Sequence, residues 1–417
     1  MEKTKKLKWY HKFLAPGGMD IMFFALVLLL LGVGLVMLFS ASYPYAYYKE
    51  GKSTYFFERQ LYFAIAGLVA MLIVSKVKYE YFKLAAIPLL GVSLLLLVLV
   101  LFLPEPVPGF KRWIEIPGVT TFQPSEIGKL ALILFCAWGM DLQHNAIISR
   151  ELSKTEKAKK FNSIFADRLG GMFKITKATF PTWIYGGLTV VMCGLVFLED
   201  HLSGTILMMG IGGLMMYIGG FKGKWFLMVL IPAFAFITLL IVYPEIMEKV
   251  SFLKDYMQER IISWLDKDYS PRGSRWQTNN ALYAIGSGGF FGLGLGNSKQ
   301  KFMFVSEPQN DMIFSIVCEE LGFVGASLVI LLFALLIWRG VVIGLKSKTR
   351  FGSYLAMGIV FQVGLQTLLN IGVATDSIPN TGISLPFFSY GGTSLMMLLF
   401  QMGMVLAVSR YSRVSKK

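Results

Sequence analysis

The sequence predicts an all-α polytopic membrane protein of about ten transmembrane helices, both termini cytoplasmic, with a large extracellular loop between the seventh and eighth. Three observations predict it. The chain has 417 residues, 55% of them hydrophobic and only 16% charged, too few polar groups to coat a soluble core of that size. Apolar runs of bilayer-spanning length recur from one end to the other. Lys and Arg are distributed unevenly between alternate connecting segments.

The runs fall at 20–42, 59–77, 84–103, 124–140, 180–198, 203–219, 225–243, 310–338, 352–374 and 388–408. They divide the chain into a basic cytoplasmic N-terminus (1–19), one membrane domain (20–408) and a basic cytoplasmic tail (409–417). The first run follows "MEKTKKLKWYHK" without a small-residue cleavage site and reads as a retained span. With the N-terminus inside, inner segments hold 26 of the 40 Lys and Arg and outer segments 13, of which 8 belong to the 244–308 loop. Loops that long are largely exempt from the positive-inside rule, and without it the bias is 26 to 5. This bias and an anionic inner leaflet account for the net charge of +15, so nothing calls for nucleic acid.

Cys136, Cys193 and Cys318 all lie within spans, with neither metal-ligand spacing nor a disulfide framework. His11, His144 and His201 are scattered, and His201 in "EDHLSGT" reads as a polar turn residue. The inner loop 141–179 is long and basic, a solvated or headgroup-binding surface. In the outer loop, Val250, Leu253, Met257, Ile261 and Trp264 repeat at helical spacing opposite a charged face, which suits a helix at the membrane surface or packed on the spans. The glycine-rich "GSGGFFGLGLGNSKQKF" lacks a dinucleotide fingerprint and reads as a bent segment dipping toward the membrane, where protein buries its backbone.

Intramembrane charge is the chemical signal. "SEPQNDMIFSIVCEELG" sets Glu307 and Asp311 at the mouth of a span and Glu319 and Glu320 two turns inside it. Glu319 and Glu320 point about 100° apart on a helix, so one is expected to meet the cavity or a cation. "FQPSEIGKLAL" sets Glu126 and Lys129 three apart on one face, an expected ion pair and, as packing alone, a clamp. Trp113 is an interfacial residue beside Lys111 and Arg112. The uncharged "PNTGISLPFFSYGGTSL", which contains Ser389, reads as a rigid turn into the last span.

In this order the clusters resemble the SEDS family (shape, elongation, division and sporulation) over nearly the whole chain. "RQLYFAIAGLVAM", "RWIEI", "FQPSEIGKLAL", "WQTNNALYAIGSGGFFGLGLGNSKQKF", "EPQNDMIFSIVCEELGF" and "TGISLPFFSYGGTSL" carry the resemblance, and the short "GLGLGNSKQKF" is similar to the division and sporulation branch. The resemblance implies a multi-pass protein of the bacterial plasma membrane that polymerises lipid II into glycan strands at the outer leaflet. It also implies a class B penicillin-binding protein as partner, alongside other divisome or elongation proteins. The family's essential aspartate falls on Asp311, its buried ion pair on Glu126 and Lys129, its loop tryptophan on Trp113, and the first Glu of its "EELG" on Glu319. Departures are Ser306, Asn310, Asn280-Ala281, Asp376 and the long 141–179 loop.

Such chemistry needs one carboxylate base, because diphosphate is already a good leaving group; Asp311 is the expected base. Its charge needs Arg, Lys or a divalent cation such as Mg or Mn. Arg59, Lys111, Arg112, Arg272, Lys299 and Lys301 are the cations on the outer face, and each is also suited to lipid headgroups. Two readings stay open beside the polymerase: a transporter that flips a lipid-linked precursor, and a noncatalytic scaffold for a transpeptidase.

Overall fold

The computed structural model describes residues 15, 17–104, 111–116, 120–152, 180–220, 255–267, 273 and 275–412. The expected seventh span (225–243), Arg272 and most of the 141–179 loop lie outside them. The described chain is almost entirely helical. Helices α1 (Ile21–Glu50), α2 (Tyr55–Ser75) and α3 (Phe82–Val100, entered through a 3₁₀ turn at Tyr79–Tyr81) are followed by a small hairpin. Its strands β1 (Ile114–Ile116) and β2 (Thr120–Phe122) are antiparallel, with Glu115 opposite Thr121. Then come α4 (Pro124–Leu152), α5 (Phe180–Leu198), α6 (Leu202–Ile218), α7 (Asp255–Leu265), α8 (Trp276–Ser287), α9 (Ile313–Leu345), α10 (Arg350–Ala374) and α11 (Gly392–Ser409).

Six described helices are long and apolar enough to cross a bilayer: α1, α2, α3 with its entry turn, α9, α10 and α11; the apolar stretches of α5 and α6 are shorter. Two boundaries differ from the sequence expectation in ways that matter. Helix α4 runs on to Leu152, well into the segment read as an inner loop. Helix α9 begins at Ile313, so Asp311 stands before the helix rather than on its first turn.

The bundle is knit by α2 on α11, α9 on α10, α3 on α4 and α1 on α9. Gly403 lets α11 approach α2 at backbone distance: a Cβ there would lie 2.7 Å from the Met71 carbonyl oxygen. At the start of α1 Asp20 caps the helix, accepting from the Phe23 amide at 2.9 Å, and is gripped by the Arg339 guanidinium at 2.8 Å. Lys83 and Asp141 join α3 to α4 at 2.7 Å.

Helix α9 is broken inside its length. Gly322 has φ 66° and ψ −169°, which frees backbone groups on either side. The glycine-rich loop takes them up: the Leu293 and Gly294 amides donate to the Glu319 and Glu320 carbonyls at 2.9 and 3.0 Å, and Phe323 and Val324 donate to the Gly289 and Phe290 carbonyls at 3.0 and 3.1 Å. The two strands of chain lie so close that a Cβ on Gly322 would meet the Gly292 nitrogen at 2.2 Å. Irregular backbone at this depth survives because each strand satisfies the other.

Candidate active site

Asp311 is partly buried between α7, α8, α10 and the turn that leads into α11. Four polar side chains converge on it. Gln277, in the first turn of α8, donates to Asp311 Oδ1 at 3.2 Å. Asn370, on α10, donates to the Asp311 and Ile383 carbonyls at 2.7 Å each. Asn380 donates to Gln277 Oε1 at 3.4 Å and accepts from Arg260 Nη1 at 3.1 Å. Arg260, on α7, completes the group: a Cβ built at Gly382 would lie 3.7 Å from Asp311 Oδ2 and 3.8 Å from Arg260 Nη1. The carboxylate and the guanidinium thus both approach the open face of a glycine.

Burial raises the Asp311 carboxyl above its ordinary value, the Arg260 charge opposes that rise, and the Glu307 carboxylate adds to it. Glu307 itself is exposed, held by Asn310 Nδ2 at 2.7 Å and by the Tyr45 hydroxyl at 3.1 Å. Ser389 is buried and anchors the approach to Asp311: its hydroxyl donates to the Asn310 carbonyl at 2.6 Å and accepts from the Leu385 amide at 2.7 Å. Gln60 of α2 fixes the same turn through Ser389 O and the Gly391 amide, at 3.2 and 3.1 Å.

A second polar cluster sits where α4 and α6 begin and α5 ends. Lys129 Nζ donates to Glu126 Oε1 at 2.8 Å, as the three-residue spacing anticipates. Above the pair, Gln123 Nε2 meets His201 Nδ1 at 3.0 Å. Burial, with the Arg112 and Lys129 charges nearby, holds the His201 pKa well below its usual range. A small polar cavity of about 20 Å³ runs from Glu126 toward Ser389: Glu126, Gln362, Gln366 and Gln401 line one part, Ser384 to Phe387 and Ser389 another.

The other expected site residues scatter. Trp113 and Arg112 are partly buried just before β1, and Lys111 is exposed. Arg59 is exposed and stacks on Tyr55. Lys299 is exposed. Lys301 is fully buried: its ammonium donates to Glu320 Oε1 and the Gly296 carbonyl at 2.7 Å each and to Ser40 Oγ at 3.2 Å, which uses all three protons. Of the two adjacent acids it is therefore Glu320 that meets a cation. Glu319 instead receives the Lys299 amide at 2.9 Å and the Ser298 hydroxyl. Sequence reading missed Arg260, Gln277, Asn370 and Asn380. Arg260 sits on the charged face of the predicted outer helix, and nothing local distinguishes it from its charged neighbours.

Among the described residues no three His, Cys, Asp or Glu side chains converge where they could hold a metal ion. The charged partner the chain itself supplies beside Asp311 is Arg260.

A polytopic helical bundle with an acid–guanidinium pair at the mouth of a broken helix defines a membrane protein built around a polar site at one end of its spans. The chain belongs to the FtsW/RodA/SpoVE family of cell cycle proteins, whose model matches residues 20–414. It is 38% identical over 402 residues to stage V sporulation protein E of Bacillus subtilis, covering 94% of this chain and 98% of that one. It is 34% identical over 392 residues to a probable peptidoglycan glycosyltransferase FtsW of Geobacter metallireducens, covering 92% and 94%. Among solved structures it resembles a chain from work on the structural coordination of polymerization and crosslinking by a peptidoglycan synthase complex, with TM-score 0.71, 25% identity and 94% and 98% coverage. The rod shape determining protein RodA of Thermus thermophilus shares the fold at TM-score 0.63 and 24% identity, covering 95% and 98%.

Proposed function

We propose that this protein is a peptidoglycan glycosyltransferase that polymerises lipid II at the outer leaflet, with Asp311 as general base and undecaprenyl diphosphate as leaving group. The observation that carries the reading is the pairing of a partly buried carboxylate with a guanidinium across the open face of Gly382. The acceptor hydroxyl gives its proton to Asp311 as its oxygen attacks the anomeric carbon from the side opposite the diphosphate, which inverts the configuration. Arg260 stabilises the negative charge that builds on the departing diphosphate. Gln277 orients Oδ1, and Asn370 fixes the backbone of the base. A divalent cation carried by the diphosphate would add to that stabilisation. The sporulation and FtsW relatives support a role in division or sporulation, and the synthase-complex neighbour supports a class B penicillin-binding protein as partner.

The test is glycan-chain synthesis from purified lipid II. Asp311→Asn keeps the size of the side chain and removes the base, so polymerisation falls about 10²–10⁴-fold while folding and lipid II binding persist. Glu307→Gln costs far less. Because burial raises the Asp311 pKa and the base must be ionised, activity climbs with pH through a midpoint above that of an ordinary aspartate. Near-normal polymerisation by Asp311→Asn sinks the assignment. The charged Glu126–Lys129 pair within a span would also suit a transport path. A lipid-scrambling assay on the same samples separates the two: scrambling lost with polymerisation intact would favour transport.

A further inference from the structure

Arg260 reaches the Asp311 site from α7, and among the described residues α7 is attached near that site to the turn after α10. The attachment is built from three contacts to the turn after α10. Arg275 is 3% exposed; its Nη2 donates to Asp376 Oδ2 at 2.6 Å and its Nη1 to the Ser263 carbonyl. Trp264 Nε1 donates to the Asp376 carbonyl at 3.0 Å. Arg260 Nη1 donates to the Asn380 carbonyl. Asp376 holds a left-handed conformation with φ 56°, and the turn presents its side chain to Arg275, ahead of α8, and its carbonyl to Trp264 of α7. Ser263 closes the chain of contacts, because its hydroxyl donates to the Arg260 carbonyl at 3.1 Å.

From this geometry we propose that Arg275 and Asp376 are positioning residues for the reaction: their ion pair pins α7 to the turn after α10 and so sets where the Arg260 guanidinium stands relative to Asp311. The inference rests on Asp311 acting as the base. The clasp touches neither Asp311 nor the open face of Gly382. It acts through one turn of helix, from Ser263 to Arg260. Losing the Asp376 carboxylate leaves the Arg275 charge buried without its counterion, and the guanidinium must move outward to reach water. The Ser263 carbonyl that it holds is then released, and α7 with it.

The consequence is legible in pH dependence, because Arg260 is the positive charge facing Asp311. Around that carboxyl the other elements supply Glu307 from the preceding loop and the uncharged Gln277, Asn370 and Asn380. When Arg260 withdraws, the carboxylate loses its stabilising charge and ionises at higher pH. The acid limb of the rate profile moves up.

The experiment compares wild type, Asp376→Gly and Asp376→Asn, alone and combined with Arg260→Gln, all full-length in nanodiscs. Gly accepts the left-handed backbone and deletes the clasp. Asn accepts the same backbone and keeps an oxygen for Arg275 but not the charge, so it separates the hydrogen bond from the ion pair. Hydrogen exchange of residues 255–265 reads the clasp itself: it should accelerate at least about tenfold in Asp376→Gly and by a smaller factor in Asp376→Asn. Polymerisation from lipid II should fall at every pH in Asp376→Gly, because Arg260 also serves the departing diphosphate, and on the order of tenfold further on the acid limb than on the alkaline plateau, with Asp376→Asn between it and wild type. In the Arg260→Gln background, adding Asp376→Gly should shift the limb no further. Unchanged exchange in Asp376→Gly overturns the clasp. Faster exchange with an unmoved acid limb, or an equal shift in the Arg260→Gln background, overturns the route through Arg260. Full activity of Asp311→Asn would instead refute the base assignment, and the exchange result would still report whether the clasp holds α7.

Discussion

Lys301 offers the sharpest perturbation, because the sequence placed it among the outer cations and the structure surrounds it with protein. Lys301 and Glu320 are both fully buried, 2.7 Å apart, and Ser40 Oγ donates to the two Glu320 oxygens at 2.8 and 2.7 Å. The Tyr43 ring lies 4.7 Å from the ammonium. Removing one partner from such a pair strands the other charge, which costs about 3–5 kcal/mol, whereas removing both can be nearly neutral. Lys301→Met and Glu320→Gln should each destabilise by about that amount, and the double variant by well under the sum, with a coupling energy above about 2 kcal/mol. The assay is thermal melting in matched detergent micelles, with lipid II binding measured on every variant that folds. Additive losses would refute the pairing energy. A folded double variant that has lost about tenfold in lipid II affinity would show that Lys301 reaches substrate after all.

The Glu126–Lys129 pair should behave similarly but more weakly, because Glu126 lines a cavity that water can enter. Single Ala changes should cost about 3 kcal/mol, the exchanged pair Glu126→Lys with Lys129→Glu should recover part of it in detergent melting, and purely additive losses would count against direct pairing. Glu199, in the turn between α5 and α6, is fully buried with neither carboxylate oxygen hydrogen-bonded among the described residues, and burial pushes its carboxyl up to about 8. It holds its proton in the folded state where the unfolded chain would have lost it, so it subtracts stability as pH rises from the ordinary carboxylate range toward 8. Glu199→Gln should therefore gain on wild type with rising pH, by roughly 3–5 kcal/mol at about pH 9, and melting curves that run parallel from acid to alkaline pH would disprove it. Gly322→Ala should break the pairing between α9 and the glycine-rich loop, since its Cβ would meet backbone at 2.2 Å; fast hydrogen exchange at residues 289–294 is the readout, and unchanged protection would contradict it.

The sequence by itself determined the class of fold, because span length, hydropathy and the Lys/Arg bias are local properties that the bilayer imposes on each segment separately. It also determined the Glu126–Lys129 pair, whose partners are three residues apart on one helix, and it marked Asp311 as an acid at the mouth of a span. The tertiary structure decided the rest. Arg260, Gln277, Asn370, Asn380 and Asp311 come from five separate segments, and no spacing in the chain encodes their meeting. It decided, too, that Lys301 and Lys299, two residues apart in one loop, have opposite fates, one fully buried against Glu320 and the other exposed. The physical reason is the break at Gly322: once α9 opens its backbone, the glycine-rich loop must fold onto it, and that folding carries Lys301 inward to Glu320 and the Lys299 amide to the Glu319 carboxylate.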